Sequence, residues 1–213
     1  ELNILKKGIG KQDQYMAAFG GLTSMTIKPD GEVAVATLNL GSGAIAELVA
    51  NTHIYYTGTR RSAETVLADQ DNDLKKSTKT KQANQASDNM DRIKELGYKM
   101  QEAVLQENFD AWGTLTHEHW LLKKRLSSKI SLSEVDDIYE DVRANYGVLG
   151  GKIIGAGGGG FLLLYCPTKH KNLEQHMASL GMPRLHYSLD PEGCKVVASL
   201  SNPKAFDDRA LVG

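Results

Sequence analysis

The sequence has few cysteines, no long apolar run and almost no net charge. Its two cysteines, Cys166 and Cys194, form neither a disulfide framework nor a metal-ligand pattern, so we expect both to be reduced, buried and inert, as in a cytoplasmic protein. No apolar run reaches the length of a transmembrane helix, and we therefore expect no membrane partner. A net charge of −1 leaves no overall basic field, which argues against nucleic acid as a main partner.

The beginning of the chain also lacks familiar signals. Residues 1 to 7 contain no initiator methionine and do not have the layout of a signal peptide; they resemble the end of a helix that glycines terminate. We expect the chain to be a fragment of a longer protein. With 213 residues, 41% hydrophobic and 24% charged, it has the composition of an ordinary globular protein with room for one large domain.

What the sequence does have is glycine, concentrated in one stretch. Four consecutive glycines, 157 to 160, lie between two apolar segments that predict buried strands, Ile153-Ile154 and Phe161 to Tyr165. Glycine in a strand connection costs backbone entropy and is kept for positive φ or for close approach of another molecule. A run of bare backbone N–H groups can also bind an anion, so the stretch predicts a ligand-binding hairpin; the alternative is a flexible hairpin without a ligand.

The rest of the chain predicts an α+β fold. A hairpin is expected over residues 22–28 and 32–40, because Pro29-Asp30-Gly31 is a turn sequence. Apolar residues at helical spacing predict three successive helices within residues 87–146. The other predicted elements are a short helix near residues 13–19, a strand at 53–57, a helix from about residue 62, a mobile connector or exposed helix end at 71–88, a helix at 169–180 and strands at 185–189 and 196–200.

Several polar residues allow two interpretations. Asp13 lies at the start of the short predicted helix, where it can be a helix-capping acid or a functional carboxylate. Arg60 and Arg61, beside a predicted helix N-terminus, can form a phosphate or carboxylate clamp or a solvated basic turn. His117 and His119 are two residues apart on a helix and point away from each other, so a shared metal ion is not expected.

Four stretches in order carry a resemblance to a known family. Residues 151–161 resemble the third conserved motif of the GHMP small-molecule kinases. Residues 10–21, 56–63 and 117–126 resemble the branch of that family that phosphorylates sugars at C1, and within it the heptose 7-phosphate kinases. The resemblance implies an α+β fold in which residues 1–52 are the end of a ribosomal-S5-like N-terminal domain. Residues 53–213 would then form the ferredoxin-like C-terminal domain, with a helical insert and the glycine-rich motif.

The resemblance also implies an activity and a set of site residues. The activity is transfer of the ATP γ-phosphate to the anomeric C1 hydroxyl of a heptose 7-phosphate, with ATP and Mg²⁺ as cofactors and no metal ligand in this chain. Asp13 would be the catalytic acidic residue, a carboxylate that either removes the proton of the anomeric hydroxyl or orients and polarises it. The residues implied for substrate are Gln12, Arg60, Arg61, Lys123, Lys124, Gly157, Gly158 and Gly159, and those for nucleotide are Gly155, Ala156 and Gly157.

One departure from the family limits what this chain can do. The family binds ATP through a glycine- and serine-rich phosphate loop of the P-x-G-L-G-S-S type, which the sequence does not contain. We therefore expect the isolated chain to be an inactive C-terminal portion of such a kinase. Alternatives are a fucokinase-like or other sugar-1-kinase, and a non-catalytic module that keeps the fold to bind a ligand or a partner.

Overall fold

The computed structural model describes residues 9–59, 67–68, 83–126, 130–155 and 157–198, and it confirms an α+β chain. No helix in these ranges is both long and apolar enough to cross a membrane. The helices are α1 (Gln12–Phe19), α2 (Ser42–Asn51), α3 (Ala83–Leu105), α4 (Phe109–Lys124), α5 (Ser133–Asn145) and α6 (His170–Ser179), and the strands are β1 (Thr23–Ile27), β2 (Val33–Thr37), β3 (Thr52–Tyr56), β4 (Gly150–Ile153), β5 (Phe161–Tyr165) and β6 (Arg184–Leu185).

The central sheet has four antiparallel strands in the order β4-β5-β3-β6. Along the chain its elements follow the order strand, helices, strand, strand, helix, strand, which is the ferredoxin-like arrangement. The register pairs Tyr55 with Leu162 and Ile153 with the same leucine on the other side. The glycine-rich connection joins the end of β4 to the start of β5, and β4 is the strand at one edge of the sheet.

The predicted first hairpin is present as a separate two-stranded sheet, β1 with β2. Its turn closes through two hydrogen bonds of 2.9 Å, from the Gly31 N–H to the Lys28 carbonyl and from the Lys28 N–H to the Glu32 carbonyl. Gly31 has φ of +87°, a backbone conformation that glycine adopts without a steric cost, as the turn sequence predicts.

Two apolar clusters hold these elements together. The larger is centred on residues that the structure buries almost completely, among them Tyr55, Trp120 and Tyr139, and it joins the sheet to α4, α5 and α6. The smaller contains Leu48 and Phe109 and packs against residues 22 and 40 of the first part of the chain. Tight packing of this kind makes the sheet a rigid support for whatever lies at its edge.

Two expectations about local structure are wrong, and one helix was not predicted. Helix α2 was missed, although Ile45, Leu48 and Val49 have the i, i+3, i+4 spacing of a helix. Of the strands expected at 185–189 and 196–200, the described residues form only β6 (Arg184–Leu185), and Val196 and Val197 are 85% and 88% exposed. Residues 199 and 200 lie outside the described residues. The turn before them instead packs on the end of α1, where the Cys194 N–H donates to the Ala18 carbonyl (3.1 Å). Cys194 is exposed rather than buried, whereas Cys166 is buried as expected.

The predicted three helices are present, although α3 begins at Ala83, before the expected start near residue 87. The predicted helix at 169–180 corresponds to α6, and the strand at 53–57 corresponds to β3. The helix end at residues 1–7 lies outside the described residues. The same holds for most of the helix from residue 62 and for most of the predicted connector, residues 71–82.

The buried His53 makes the stability of this fold depend on pH. Burial, followed by the nearby Arg184 guanidinium, lowers the pKa of His53 to about 4 from its ordinary 6.5. Between these two values the unfolded chain binds a proton that the folded chain does not, so stability falls as the pH falls. Acidification from pH 7 to pH 5 is expected to remove about 2 kcal/mol of unfolding free energy through this residue.

Urea unfolding of the wild type and of His53→Asn at both pH values checks this expectation. The variant should lose less stability on acidification than the wild type does. His186→Asn is the comparison variant, because His186 is exposed and its effect on the pKa of His53 is the smallest of the contributing causes. An equal loss in the wild type and in His53→Asn would mean that another group carries the effect.

Candidate functional site

The glycine-rich connection between β4 and β5 adopts a backbone that requires glycine. Five of its residues have φ between +75° and +129°, a region that other residues rarely adopt; they are Gly155, Gly157, Gly158, Gly159 and Gly160. Ala156 lies outside the described residues. The run of glycines is therefore a defined hairpin, not a flexible linker.

Two N–H groups of the hairpin are bonded within the protein. The Gly158 N–H donates to the carbonyl of Ile130 (2.7 Å), and the Gly160 N–H donates to the carbonyl of Thr59 (2.8 Å). These donors are occupied, so an anion at the hairpin would have to be held by other groups. A Cβ at Gly157 would lie 2.7 Å from the Ile130 carbonyl oxygen, and one at Gly159 would lie 2.7 Å from that of Thr59. Glycine here allows the protein's own backbone to approach closely.

The two ends of the hairpin are open. A Cβ built at Gly155 or at Gly160 would meet no heavy atom within 4 Å. At the first end, the Lys123 ammonium donates a 2.8 Å hydrogen bond to the Gly155 carbonyl. Of the glycines predicted to bind nucleotide, Gly155 is therefore the one with space beside its backbone and a cation next to it.

Helix α4 lies directly along β4, and this packing brings Lys123 to the hairpin. A Cβ on Gly150 would fall 1.9 Å from the Gly113 carbonyl oxygen, so helix and strand touch there through backbone atoms. They meet again where Lys123 reaches Gly155. From Gly113 to Lys123 the helix rises about 15 Å, and from Gly150 to Gly155 the strand and its end cover about 16 Å. Because the first residues of both segments touch and the last residues also touch, helix and strand run side by side in the same direction.

This alignment places two further basic side chains beside Lys123. Lys152 is two residues after Gly150, so its side chain leaves the same face of β4, towards α4. His119 is one helical turn before Lys123 on the same side of α4. Sequence reasoning missed Lys152 entirely and considered His119 only as a metal ligand. Lys152 could have been identified from the sequence, because it is a lysine in a strand whose other residues indicate that a helix covers it.

The three basic groups are partly withdrawn from water, and their pKa values reflect this. Burial, together with the neighbouring Lys152, lowers the pKa of Lys123 to about 8. Burial also lowers the pKa of Lys152. Burial and then the Lys152 and Lys123 ammonium groups lower the pKa of His119 to about 4, so the imidazole is neutral at pH 7. The Lys152 ammonium thus disfavours a positive charge on Lys123 and on His119, and the Lys123 ammonium disfavours one on His119.

Asp13 is an exposed side chain in the first turn of α1. The residue at the N-cap is Lys11, and no side chain caps the helix, so Asp13 is not an N-cap. No hydrogen bond or ion pair involves its carboxylate within the described part of the chain. Gln12, the other predicted residue here, is also exposed, at the first position of the helix. Both side chains are available to a ligand.

The remaining predicted residues differ in what surrounds them. Lys124 forms a 2.8 Å ion pair with Asp136 and lies over the Trp120 ring, which gives it structural partners. Arg60 and Arg61 lie outside the described residues.

The two histidines of α4 have different neighbours. His117 bonds through Nδ1 to the Tyr139 hydroxyl (2.9 Å), whereas His119 faces the two lysines. Within the ranges that the structure describes, no group of three or more histidines, cysteines and acids could hold a metal ion.

Comparison with known proteins confirms the resemblance that the sequence motifs suggest. Residues 100–179 match the family model described as GHMP kinases C terminal. A D-glycero-alpha-D-manno-heptose 7-phosphate kinase of Campylobacter jejuni is 33% identical over 188 residues, which is 87% of this chain and 53% of that protein. The chain therefore spans about half the length of this curated relative.

Solved structures give the same picture of the fold. A proposed sugar kinase from Campylobacter jejuni superimposes with a TM-score of 0.61 at 30% identity, over 86% of this chain and 50% of the other. A D-glycero-D-manno-heptose 1-phosphate kinase from Bacteriodes thetaiotaomicron gives a TM-score of 0.60 at 21% identity, over 93% and 53%. At that identity the second comparison supports the fold alone.

Proposed function

We propose that this chain, which carries the C-terminal domain of a GHMP kinase, is part of an ATP-dependent sugar kinase that phosphorylates the C1 hydroxyl of a heptose 7-phosphate. The observation that carries the proposal is the 33% identity to a heptose 7-phosphate kinase over 87% of this chain. We further propose that residues 1–52 are the end of the N-terminal domain and that residues 53–213 form the C-terminal domain. Because the chain spans about half of that relative, the activity is proposed for the complete protein.

In this proposal Asp13 acts on the nucleophile. Transfer forms a bond between the C1 oxygen and the γ-phosphorus and breaks the bond from that phosphorus to the β,γ-bridging oxygen, while the hydroxyl proton leaves. A carboxylate beside the hydroxyl can accept that proton or orient the hydroxyl by a hydrogen bond, and both lower the barrier. The exposed, unpaired carboxylate at the start of α1 is suited to either role. Gln12 would contribute a hydrogen bond to the sugar beside it.

The glycine hairpin is proposed as the surface against which nucleotide and substrate lie. ATP supplies the phosphoryl group when it is bound. Gly155 has open space at its backbone and Lys123 beside it, which fits the approach of a phosphate chain. Gly157 to Gly159 support the hairpin by contacts with Ile130 and Thr59, so their part is to hold its shape. We assign Mg²⁺ no ligand among the described residues, which contain no cluster of three or more histidines, cysteines and acids that could hold a metal ion.

A panel of sugars tests the substrate. The complete protein should transfer labelled phosphate from ATP to heptose 7-phosphate, and the 213-residue chain alone should not, because the sequence contains no phosphate loop. Turnover by the isolated chain would contradict its proposed inactivity. Activity on fucose but not on heptose 7-phosphate would replace the heptose proposal by the fucokinase-like one. No transfer to any sugar would favour the non-catalytic module.

A further inference from the structure

The three basic side chains between α4 and β4 are partly buried and have no acidic partner among the described residues. Exposed lysines such as Lys169 can also lack an acidic partner, but they keep their contact with water. Lys28, Lys99 and Lys124 each pair with a carboxylate, Glu32, Glu95 and Asp136. Within the described part of the chain, Lys152 has no hydrogen-bond or ion-pair partner, and Lys123 bonds only to a neutral carbonyl. The buried Nδ1 atom of His119 has no partner either.

Such an arrangement lowers the folding stability of a protein that binds nothing at this position. An ammonium group withdrawn from water loses solvation, and only an opposite charge or several hydrogen bonds restore the loss. Here two ammonium groups also repel each other, and no carboxylate among the described residues acts on either of them or on the imidazole. The cluster therefore has the electrostatics of a site that an anion completes.

We propose that His119, Lys123 and Lys152 together form a binding site for a phosphate group at the entrance of the glycine hairpin. Two ammonium charges match the two negative charges of a phosphate monoester, whereas a carboxylate would neutralise only one. The donors come from two elements, α4 with His119 and Lys123 and β4 with Lys152, and donors from two sides suit a tetrahedral group with several acceptor oxygens. The imidazole adds a third donor to this phosphate. Lys123 can serve both the phosphate and Gly155, since an ammonium has three N–H donors.

Two molecules of the proposed reaction carry such a group, the sugar 7-phosphate and the nucleotide. The assignment to one of them rests on the proposed function, whereas the phosphate site itself does not. Lys152 is the residue to test, because it has no hydrogen-bond or ion-pair partner among the residues that the structure describes. Its substitution by methionine keeps the length of the side chain and removes the charge.

The experiment titrates the 213-residue chain with millimolar inorganic phosphate and follows the side-chain NMR signals of His119, Lys123 and Lys152. These signals are expected to shift, while those of Lys99, an exposed lysine paired with Glu95, should not. Lys152→Met should weaken phosphate binding about tenfold or more, the usual effect of losing a charge-assisted hydrogen bond. Lys99→Met should leave binding unchanged. Absence of shifts, or wild-type affinity in Lys152→Met, would overturn the proposal.

Thermal unfolding separates a binding role from a structural one. A lysine kept for packing should lower the melting temperature when it is replaced, whereas removal of an unpaired, half-buried charge should preserve or raise it. Weaker binding with an unchanged or higher melting temperature is therefore the expected signature. Weaker binding with a lower melting temperature would indicate that the charge holds the structure and would count against the site.

Two further titrations identify the molecule that supplies the phosphate. Weaker binding of heptose 7-phosphate alone in Lys152→Met would assign the site to the sugar, and weaker binding of ADP alone would assign it to the nucleotide. Either result supports the site, and an effect on neither would overturn its assignment to the sugar phosphate or the nucleotide. If inorganic phosphate binds but the complete protein phosphorylates no sugar, the kinase proposal fails while the phosphate site stands.

Discussion

Replacement of Asp13 by asparagine in the complete protein is expected to lower the rate of sugar phosphorylation by about 100- to 10,000-fold, the range typical of a lost proton acceptor. Asparagine keeps the size of the side chain and removes its charge and its capacity to accept a proton. The side chain is exposed and has no ion-pair partner among the described residues, so the fold should be little affected. Steady-state kinetics with labelled ATP, together with a melting curve, measure both effects.

The matched control is Glu134→Gln, which removes an exposed acid from the first turn of another helix, α5. Both acids interact with a helix dipole, and that interaction is worth only about 0.3–1 kcal/mol. If Asp13 were merely a first-turn acid, the two variants would show the same small loss of stability and no specific loss of rate. Full activity in Asp13→Asn would remove Asp13 from the catalytic machinery.

The largest effect on stability is expected for Gly150→Ala. The added Cβ would lie 1.9 Å from the carbonyl oxygen of Gly113 and 2.8 Å from the backbone nitrogen of His117. Both neighbours are backbone atoms, so no side chain can rotate away and α4 must move off β4. Because that helix contributes the buried Trp120 to the main core, we expect a loss of about 3 kcal/mol or more, the upper part of the range for overpacking.

Urea unfolding measures this loss, and Gly97→Ala is its control. Gly97 is an exposed glycine inside α3, where an added Cβ meets nothing within 4 Å. The same chemical change should there raise stability by about 0.5–1 kcal/mol, because alanine favours a helix over glycine. A Gly150→Ala variant as stable as the wild type would show that α4 and β4 do not touch as described, and the phosphate site between them would lose its geometric basis.

The sequence predicts elements whose signal is local. The turn at Pro29-Asp30-Gly31 forms because proline and glycine restrict the backbone by themselves. The helices α4 and α5 follow from apolar residues at helical spacing, which do not depend on the partner that covers them. The glycine hairpin was predicted as a special backbone, and its positive φ angles confirm that expectation.

Elements that depend on distant partners were predicted less well. Val196 and Val197 have strand character, but they form no strand in the described chain because the preceding turn packs on α1. Helix α2 has apolar residues at helical spacing, Ile45, Leu48 and Val49, and its presence could have been predicted. Only the structure shows that Leu48 packs in the smaller core. The predicted anion-binding role of the glycine N–H groups is also changed, since Ile130 and Thr59 occupy two of them.

By itself the sequence determined the fold class, the glycine hairpin and the acid in the first turn of α1, because each depends on residues close together in the chain. Only the tertiary structure decided which lysines lie close together. Lys123 and Lys152 are 29 positions apart, and they become neighbours because glycines at 113 and 150 allow a helix and a strand to touch. Long-range packing of this kind depends on shape in three dimensions, and the spacing of residues along one chain does not encode it.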